Sequence, residues 1–287
     1  MSRFHAEKGL STWRKVALST WGEPLNPTAY GILDLDCGPA LAYVQRLREA
    51  SGEKVTITHL VGKIIALTIA AHPEVNGFVS MGRLMLRETV DIFFQVAFFD
   101  DEVGKEGPSE KRDRSTESKK ANLAGAKIRE VDKKSVVDIA RELREKAEAI
   151  RKKGEADTIK SASTMSSVPG PFVGMALRAA SYLHYDLGLD LRRFGMPSDG
   201  FGSCMITNIG VFGLEVGFAP LLPVGHVPLI LTLGAVKDVA AVKEGKVVPR
   251  KSVCIGTAFD HRVMDGYHAG VMAKRFRQIF EDPSAHL

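Results

Sequence analysis

The segment that most constrains the fold is residues 60–71, which are almost entirely hydrophobic. Thr58 precedes the segment as the predicted helix cap, and Pro73 follows it as a stop. A helix that is apolar on every side has no face to turn towards water, so it must be buried from several directions. The chain must therefore build layers around this helix, and its 287 residues are enough to supply them.

Helices and strands are both predicted around this buried segment. Helical spacing or capping signals mark residues 10–21, 39–50, 135–154, 171–185 and 268–281. Strand patterns mark residues 29–36, 83–87, 90–99, 123–129, 203–207, 229–236, 239–242 and 252–259, with a hairpin turn at Glu244 and Gly245. The two types do not alternate strictly, which predicts an α/β or α+β domain with a mixed β-sheet sandwiched with helices.

Charge and composition exclude several classes of function. The formal net charge of +5 suits an anionic partner such as the phosphates of a nucleotide-bearing cofactor, but no Lys/Arg run interleaved with aromatics indicates nucleic acid. The apolar stretch at residues 169–189 is interrupted by Arg178 and Asp186, so a transmembrane span is not expected. Residues 102–120 and 156–167 are polar and are predicted to form a loop and a linker.

The cysteines give no sign of a metal site or a disulfide framework. Cys37, Cys204 and Cys254 are odd in number and far apart, and no pair has the spacing of metal ligands. A reducing compartment fits this usage, and a cytoplasmic location without a bound metal is predicted.

The segment with the clearest chemical potential is AFDHRVMDGYHAG, residues 258–270. An apolar strand runs into His261, and a tight turn follows at Asp265 and Gly266. Histidine titrates near neutral pH, so an imidazole held at a strand end is well placed to move a proton. A carboxylate four residues later can brace the turn or balance charge. On its residues alone, the segment fits a structural role equally well.

Five segments together resemble the catalytic domain of the dihydrolipoyl acyltransferases of 2-oxoacid dehydrogenase complexes. They are LSTWRKVA at residues 10–17, VTITHLVGKIIALTIAAHPEVNG at 55–77, IREVDKKSVVDIARELREKAEAIRKK at 128–153, MITNIGVFG at 205–213 and DHRVMDG at 260–266. The resemblance implies a chloramphenicol acetyltransferase-like fold in which a mixed sheet is sandwiched with helices.

The same resemblance assigns roles to individual residues. It makes His261 the general base and Thr207 the hydroxyl that stabilises the oxyanion. It leaves Asp265 to support the catalytic loop, with Arg14 as the candidate arginine linked to it. Residues implied to contact substrate are Arg14, Asn208, Gly210 and His226. His59 and His72, which flank the buried helix, are expected to be structural.

The resemblance also implies partners and substrates. Acyl groups would move between coenzyme A and a thiol acceptor such as dihydrolipoamide, with the lipoyl group carried in trans by another protein. A homotrimer or larger homo-oligomer is expected, because the family's active site lies between subunits of a trimer. His261 and Thr207 would then come from different chains.

This chain departs from the family pattern in several places. We expect one acyltransferase catalytic domain over residues 1–287, with insertions at about 103–121 and 155–203 and no lipoyl or peripheral-subunit-binding domain. The stretch 122–128 and the Gly225-His226 site differ from the family's substrate-lining residues. Two alternatives stay open: a non-catalytic scaffold with the same fold, and acyl transfer to an amine, hydroxyl or lipid acceptor.

Overall fold

The structure is a computed structural model, and it describes residues 26–99, 121–154, 175, 178–189, 199–222 and 225–287. The predicted helix at residues 10–21, the predicted loop at 102–120 and the predicted linker at 156–167 lie outside these residues.

The described residues form nine strands and five α-helices in a mixed order. The strands are β1 Thr28–Asp36, β2 Gly77–Ser80, β3 Arg83–Leu86, β4 Ile92–Phe99, β5 Ala121–Ile128, β6 Cys204–Asn208, β7 Leu229–Leu233, β8 Lys237–Lys243 and β9 Lys246–Asp260. The helices are α1 Gly38–Ser51, α2 Ile57–Ala70, α3 Val136–Gly154, α4 Gly266–Glu281 and α5 Pro283–His286. Short helical turns occur at Pro73–Val75, Val131–Lys133, Tyr182–Asp186 and Gly210–Phe212.

Seven of these strands make one mixed sheet in the order β1-β9-β7-β6-β4-β5, with β8 paired to β9. The pairs β6–β7 and β4–β6 are parallel, and the others are antiparallel. The first part of β9 pairs only with β8, and this two-stranded ribbon ends at the Glu244 and Gly245 turn. Both turn residues have positive φ, as the predicted hairpin turn requires. The predicted mixed α/β class is confirmed.

The long helices pack on one face of the sheet. Phe94 of β4 and Ile206 of β6 point towards α2, where Gly62 leaves room for the Phe94 ring. Side chains alternate along a strand, so the neighbouring Phe93 and Met205 point to the opposite face, where a second and smaller apolar cluster forms. The two faces of the sheet therefore present different environments to a site at its ends.

The buried helix predicted at residues 60–71 is α2, but its cap was wrongly assigned to Thr58. The helix begins at Ile57, with Thr56 as its N-cap in a capping box with His59. The Thr56 N–H donates to Nδ1 of His59 at 3.0 Å, so His59 accepts the hydrogen bond that a Glu or Gln side chain usually accepts in a capping box. The signal was misread because the third residue of this box is a histidine.

Two further elements differ from the sequence prediction. The short strand β2 was missed, and it pairs with β3 in a separate hairpin. The strand predicted at residues 229–236 ends at Leu233, because the next residue, Gly234, packs directly against the carbonyl oxygen of Glu215. Neither contact leaves a local pattern in the sequence.

Candidate active site

His261 follows the last residue of β9 and stands at one end of the sheet. Its backbone N–H donates to the carbonyl of Pro27 at 2.9 Å, which fixes the chain just before β1 against the end of β9. The imidazole is exposed and stacks loosely on Phe259, with ring centroids 6.5 Å apart. The ring has no hydrogen-bond partner among the residues described. The ring is therefore available to a group from outside the protomer.

One ion pair, between the residues that precede and follow His261, stabilises the turn on which His261 lies. Arg262 donates from its backbone N–H and its guanidinium to the buried carboxylate of Asp260, at 2.7 to 3.3 Å. The N–H groups of Val263 and Met264 donate to the Asp260 carbonyl. Hydrogen bonding to Asp260 raises the pKa of Arg262 above its usual value. The sequence identified the triplet as polar but not this pairing.

Asp265 supports the local chain and does not touch His261. It is the N-cap of α4 and accepts hydrogen bonds from the backbone N–H groups of Tyr267 and His268, at 2.9 and 3.1 Å. Its carboxylate also contacts Nδ1 of His268 at 2.7 Å. The backbone and ring of His268 lower the pKa of Asp265. These contacts fix the start of α4, and the role of Asp265 in the reaction stays a prediction.

Thr207 and Asn208 end strand β6 at the other end of the sheet. Thr207 is half-buried, and within the described part of the chain its hydroxyl has no hydrogen-bond partner. The side chain of Asn208 donates to the hydroxyl of Thr58, at 3.1 Å. Asn208 is therefore engaged in tying β6 to α2, whereas the Thr207 hydroxyl is free to bind a ligand.

His261 and Thr207 cannot meet within one protomer. Thr207 pairs with Thr232 of β7, which pairs with Gly256 of β9. His261 lies five residues beyond Gly256, so the strand rise and two strand spacings separate the pair by about 20 Å. A reaction that uses both groups needs a second copy of the chain.

The segment after β6 is structurally constrained and exposes apolar side chains. A Cβ on Gly210 would lie 2.7 Å from backbone atoms of Gly234 and Ala235, so this position needs glycine for packing. The N–H of Ala235 donates to the carbonyl of Leu214, which lays the segment across the sheet. Five of its large side chains are exposed: Val211, Phe212, Leu214, Val216 and Phe218. Tyr30 of β1 extends this apolar surface and meets Phe218 edge to face, at 5.2 Å.

His226 lies near the His261 end of the sheet, with its backbone at a positive φ of 48°. Its Nε2 is 2.9 Å from the hydroxyl of Ser181, and its ring packs against Tyr185 with centroids 4.1 Å apart. Burial lowers the pKa of His226, so the ring is neutral near pH 7. Arg87 donates to the His226 carbonyl at 2.9 Å. No pattern in the sequence indicated that Ser181 and Tyr185, which lie within the predicted insertion 155–203, would contact this ring.

The last predicted substrate contact, Arg14, lies outside the described residues. In the ranges that are described, no group of three or more His, Cys, Asp or Glu side chains is placed to hold a metal ion. None of the helices in those ranges has the length and apolar character needed to cross a bilayer.

Comparison with known proteins places this geometry in a family context. Residues 198–287 match the sequence model of the 2-oxoacid dehydrogenases acyltransferase (catalytic domain). The matched part contains His261, Thr207 and Asp265, together with the predicted substrate contacts Asn208, Gly210 and His226. The resemblance read from the sequence motifs is confirmed.

A curated relative is similar over most of the chain. The dihydrolipoyllysine-residue acetyltransferase component of the acetoin cleaving system of Bacillus subtilis is 24% identical over 237 residues. The match covers 83% of this chain and 44% of that protein. The chain thus spans less than half the length of this relative.

Solved structures share the fold over nearly the whole chain. A probable dihydrolipoamide acetyltransferase from Listeria monocytogenes superposes with a TM-score of 0.58 at 15% identity, covering 98% of this chain and 96% of that one. The cubic core of a pyruvate dehydrogenase multienzyme complex gives a TM-score of 0.58 at 18% identity, covering 98% and 93%. At these identities the likeness establishes the fold.

Proposed function

We propose that the chain is an acyltransferase that moves an acyl group between coenzyme A and a second thiol, such as a dihydrolipoyl group carried by another protein. The observation that carries the proposal is that the chain has an imidazole at His261 and a hydroxyl at Thr207, and neither group has a hydrogen-bond partner among the described residues. Both lie in the part of the chain that matches the acyltransferase catalytic domain. One can accept a proton and the other can donate to an oxyanion.

The chemistry requires few groups. His261 takes the proton from the acceptor thiol, and the resulting thiolate attacks the carbonyl carbon of the acyl thioester. Formation of the new C–S bond produces a tetrahedral oxyanion, and the Thr207 hydroxyl donates a hydrogen bond to it. When the intermediate collapses, the C–S bond to coenzyme A breaks, and the leaving sulfur takes the proton back from His261.

The proposed assembly is a homotrimer or a larger oligomer built from trimers. The separation of about 20 Å between His261 and Thr207 within one chain supports a site completed by a neighbour. The exposed apolar surface of residues 211–218 lies directly after Thr207 and suits burial in a subunit contact. Each site would then combine His261 of one protomer with Thr207 of the next.

The proposal extends to domain organisation and compartment. We assign the chain one catalytic domain, with the additional segments at 103–121 and 155–203 inserted into it, and a lipoyl-bearing protein as its partner. Cys37, Cys204 and Cys254 are free thiols, and two of them are buried. Free thiols fit a reducing compartment such as the cytoplasm.

The test is acyl transfer from acetyl-coenzyme A to dihydrolipoamide by the wild type and three variants. His261→Ala should lower kcat by about 100-fold or more, as expected when a general base is lost. Thr207→Ala should raise the activation free energy by about 2 to 4 kcal/mol with little change in thioester binding. Thr207→Ser keeps the hydroxyl and should retain much of the activity, so it is the matched control.

Two results would contradict the proposal. Activity in His261→Ala equal to that of the wild type would remove the mechanism. A wild type that transfers no acyl group to a thiol, an amine or a hydroxyl, yet binds a protein partner, would instead support a scaffold.

A further inference from the structure

A cavity of about 470 Å³ opens beside the turn that carries His261. Asp260 and Arg262, the residues on either side of His261, both line it. The other residues of its wall include the apolar side chains of Phe78, Leu221 and Leu222 and the polar side chains of Asn26 and His226. The volume falls within the range of small-molecule sites in proteins.

The charges in this cavity are already paired. The guanidinium of Arg262 donates hydrogen bonds to the carboxylate of Asp260, and Asp260 is buried. A carboxylate on a ligand would compete with Asp260 for the same guanidinium, and it would be repelled by Asp260 at close range. The cavity therefore favours an uncharged ligand.

Among the residues that line the cavity, His226 has a ring nitrogen with no partner in the described part of the chain. Ser181 engages Nε2 of His226, and no described residue bonds to Nδ1. The Ser181 hydroxyl can donate or accept, so Nδ1 can serve as either acceptor or donor. Tyr185 and Phe78 hold the ring in place, with centroids 4.1 and 5.4 Å away. A purely aliphatic ligand would leave this fixed polar atom without a partner.

We propose that this cavity receives the acyl chain of the thioester substrate and that His226 selects chains bearing an uncharged hydroxyl or carbonyl group. This inference rests on the proposed acyltransfer at His261, which lies between two residues of the cavity wall. The apolar residues Phe78, Leu221 and Leu222 would contact the methylene groups, and Nδ1 of His226 would bond to the polar substituent. His226 is then a specificity residue and takes no part in proton transfer to the thiol.

The test measures binding without turnover, by calorimetry with no acceptor thiol present. The probes are 3-hydroxybutyryl-coenzyme A, butyryl-coenzyme A and succinyl-coenzyme A. The wild type should bind the hydroxyacyl thioester about 5- to 10-fold more tightly than butyryl-coenzyme A, the size of one neutral hydrogen bond. Succinyl-coenzyme A should bind no better than butyryl-coenzyme A, because its carboxylate faces Asp260.

Two variants and a control locate the preference. His226→Phe keeps a planar ring but removes the hydrogen bond, and the preference should disappear. Because the backbone of His226 has a positive φ, this variant is checked for folding by circular dichroism. Ser181→Ala leaves His226 in place but releases Nε2, and the preference should fall by about half or more. His286→Phe removes a histidine from α5 and should leave the preference unchanged.

The outcomes separate this inference from the proposed function. Equal binding of the hydroxyacyl and butyryl thioesters, a preference that survives in a folded His226→Phe, or a preference that is undiminished in Ser181→Ala overturns the inference. If acetyl transfer to dihydrolipoamide still occurs, the acyltransferase proposal stands. Selective hydroxyacyl binding without any acyl transfer would overturn the proposed function and keep the binding site.

Discussion

Co-assembly of two inactive variants is the sharpest test of a site shared between subunits. The two variants are His261→Ala and Thr207→Ala, each expected to be nearly inactive alone. In the described fold these residues stand at opposite ends of the sheet, about 20 Å apart. If every site takes its imidazole from one protomer and its hydroxyl from the next, a mixed ring regains some intact sites.

The size of the recovery follows from counting interfaces in a cyclic trimer. A site is intact when the protomer that supplies His261 carries the Thr207 substitution and its neighbour carries the His261 substitution. With random mixing of equal amounts, each condition holds for about half of the protomers, so about one quarter of all sites are intact. The mixture should therefore show about a quarter of wild-type activity per chain.

The assay uses co-expression, because folded trimers need not exchange subunits after purification. Each variant carries a different affinity tag, and two successive purification steps isolate mixed assemblies. Selection for mixed rings raises the intact fraction to about one third, since a trimer of either composition holds one intact site in three. The double variant His261→Ala, Thr207→Ala co-expressed with either single variant is the control, and it should recover nothing. Mixed assemblies as inactive as the single variants, beside an active wild type, would refute the shared site.

Two further predictions concern stability. Burial lowers the pKa of His59 to about 4 in the folded protein, whereas the unfolded value is near 6.5. The folded state therefore favours the neutral ring, and the stability this contributes above pH 6.5 is lost as the pH falls from about 6.5 towards 4. The free energy of unfolding that is lost through protonation of His59 is about 3 kcal/mol at most. The variant His59→Gln can keep the capping box with Thr56, so its urea midpoint should depend less on pH between about 6.5 and 4 than that of the wild type. Identical pH profiles for the two proteins would exclude His59 as the source. Gly210→Ala should lower the free energy of unfolding by about 1 to 3 kcal/mol, because its Cβ would overlap the backbone of Gly234 and Ala235. Gly213→Ala, at a positive φ with open space around it, is the comparison for backbone strain alone, and an unaltered thermal midpoint for Gly210→Ala would contradict the packing argument.

The sequence predicted the elements with strong local signals. The buried helix α2, the capped start of α3 at Ser135 and the hairpin turn at Glu244 and Gly245 were all recognisable from short patterns. Each depends on interactions within a few residues, and such interactions are written in the local sequence. The four-residue strand β2 was missed, although its equally short partner β3 was predicted.

The candidate site was predictable only in part. His261, Thr207 and Asp265 came from resemblance to a family, and their roles stay predictions, although the structure shows Asp265 as the N-cap of α4. The contacts around His226 were not predictable, because Ser181 and Tyr185 approach it from a distant part of the chain. Such contacts depend on how the chain returns to the sheet, and spacing along the sequence does not encode it.

The β8–β9 ribbon has an exposed edge at which other chains could add strands, and its lysine side chains oppose such addition. A strand whose outer edge is unpaired, as β8 is among the described residues, can template the addition of strands from other molecules. Lys237 and Lys243 lie on β8 and Lys246 on β9, and Pro249 interrupts the donors of β9. Like charges on identical chains repel, so two ribbons do not align as a continuous sheet. At the tip, however, Val242 and Val247 face each other and are 76% and 73% exposed. We therefore expect the lysines of this ribbon to oppose edge-to-edge association of the chain in concentrated solution.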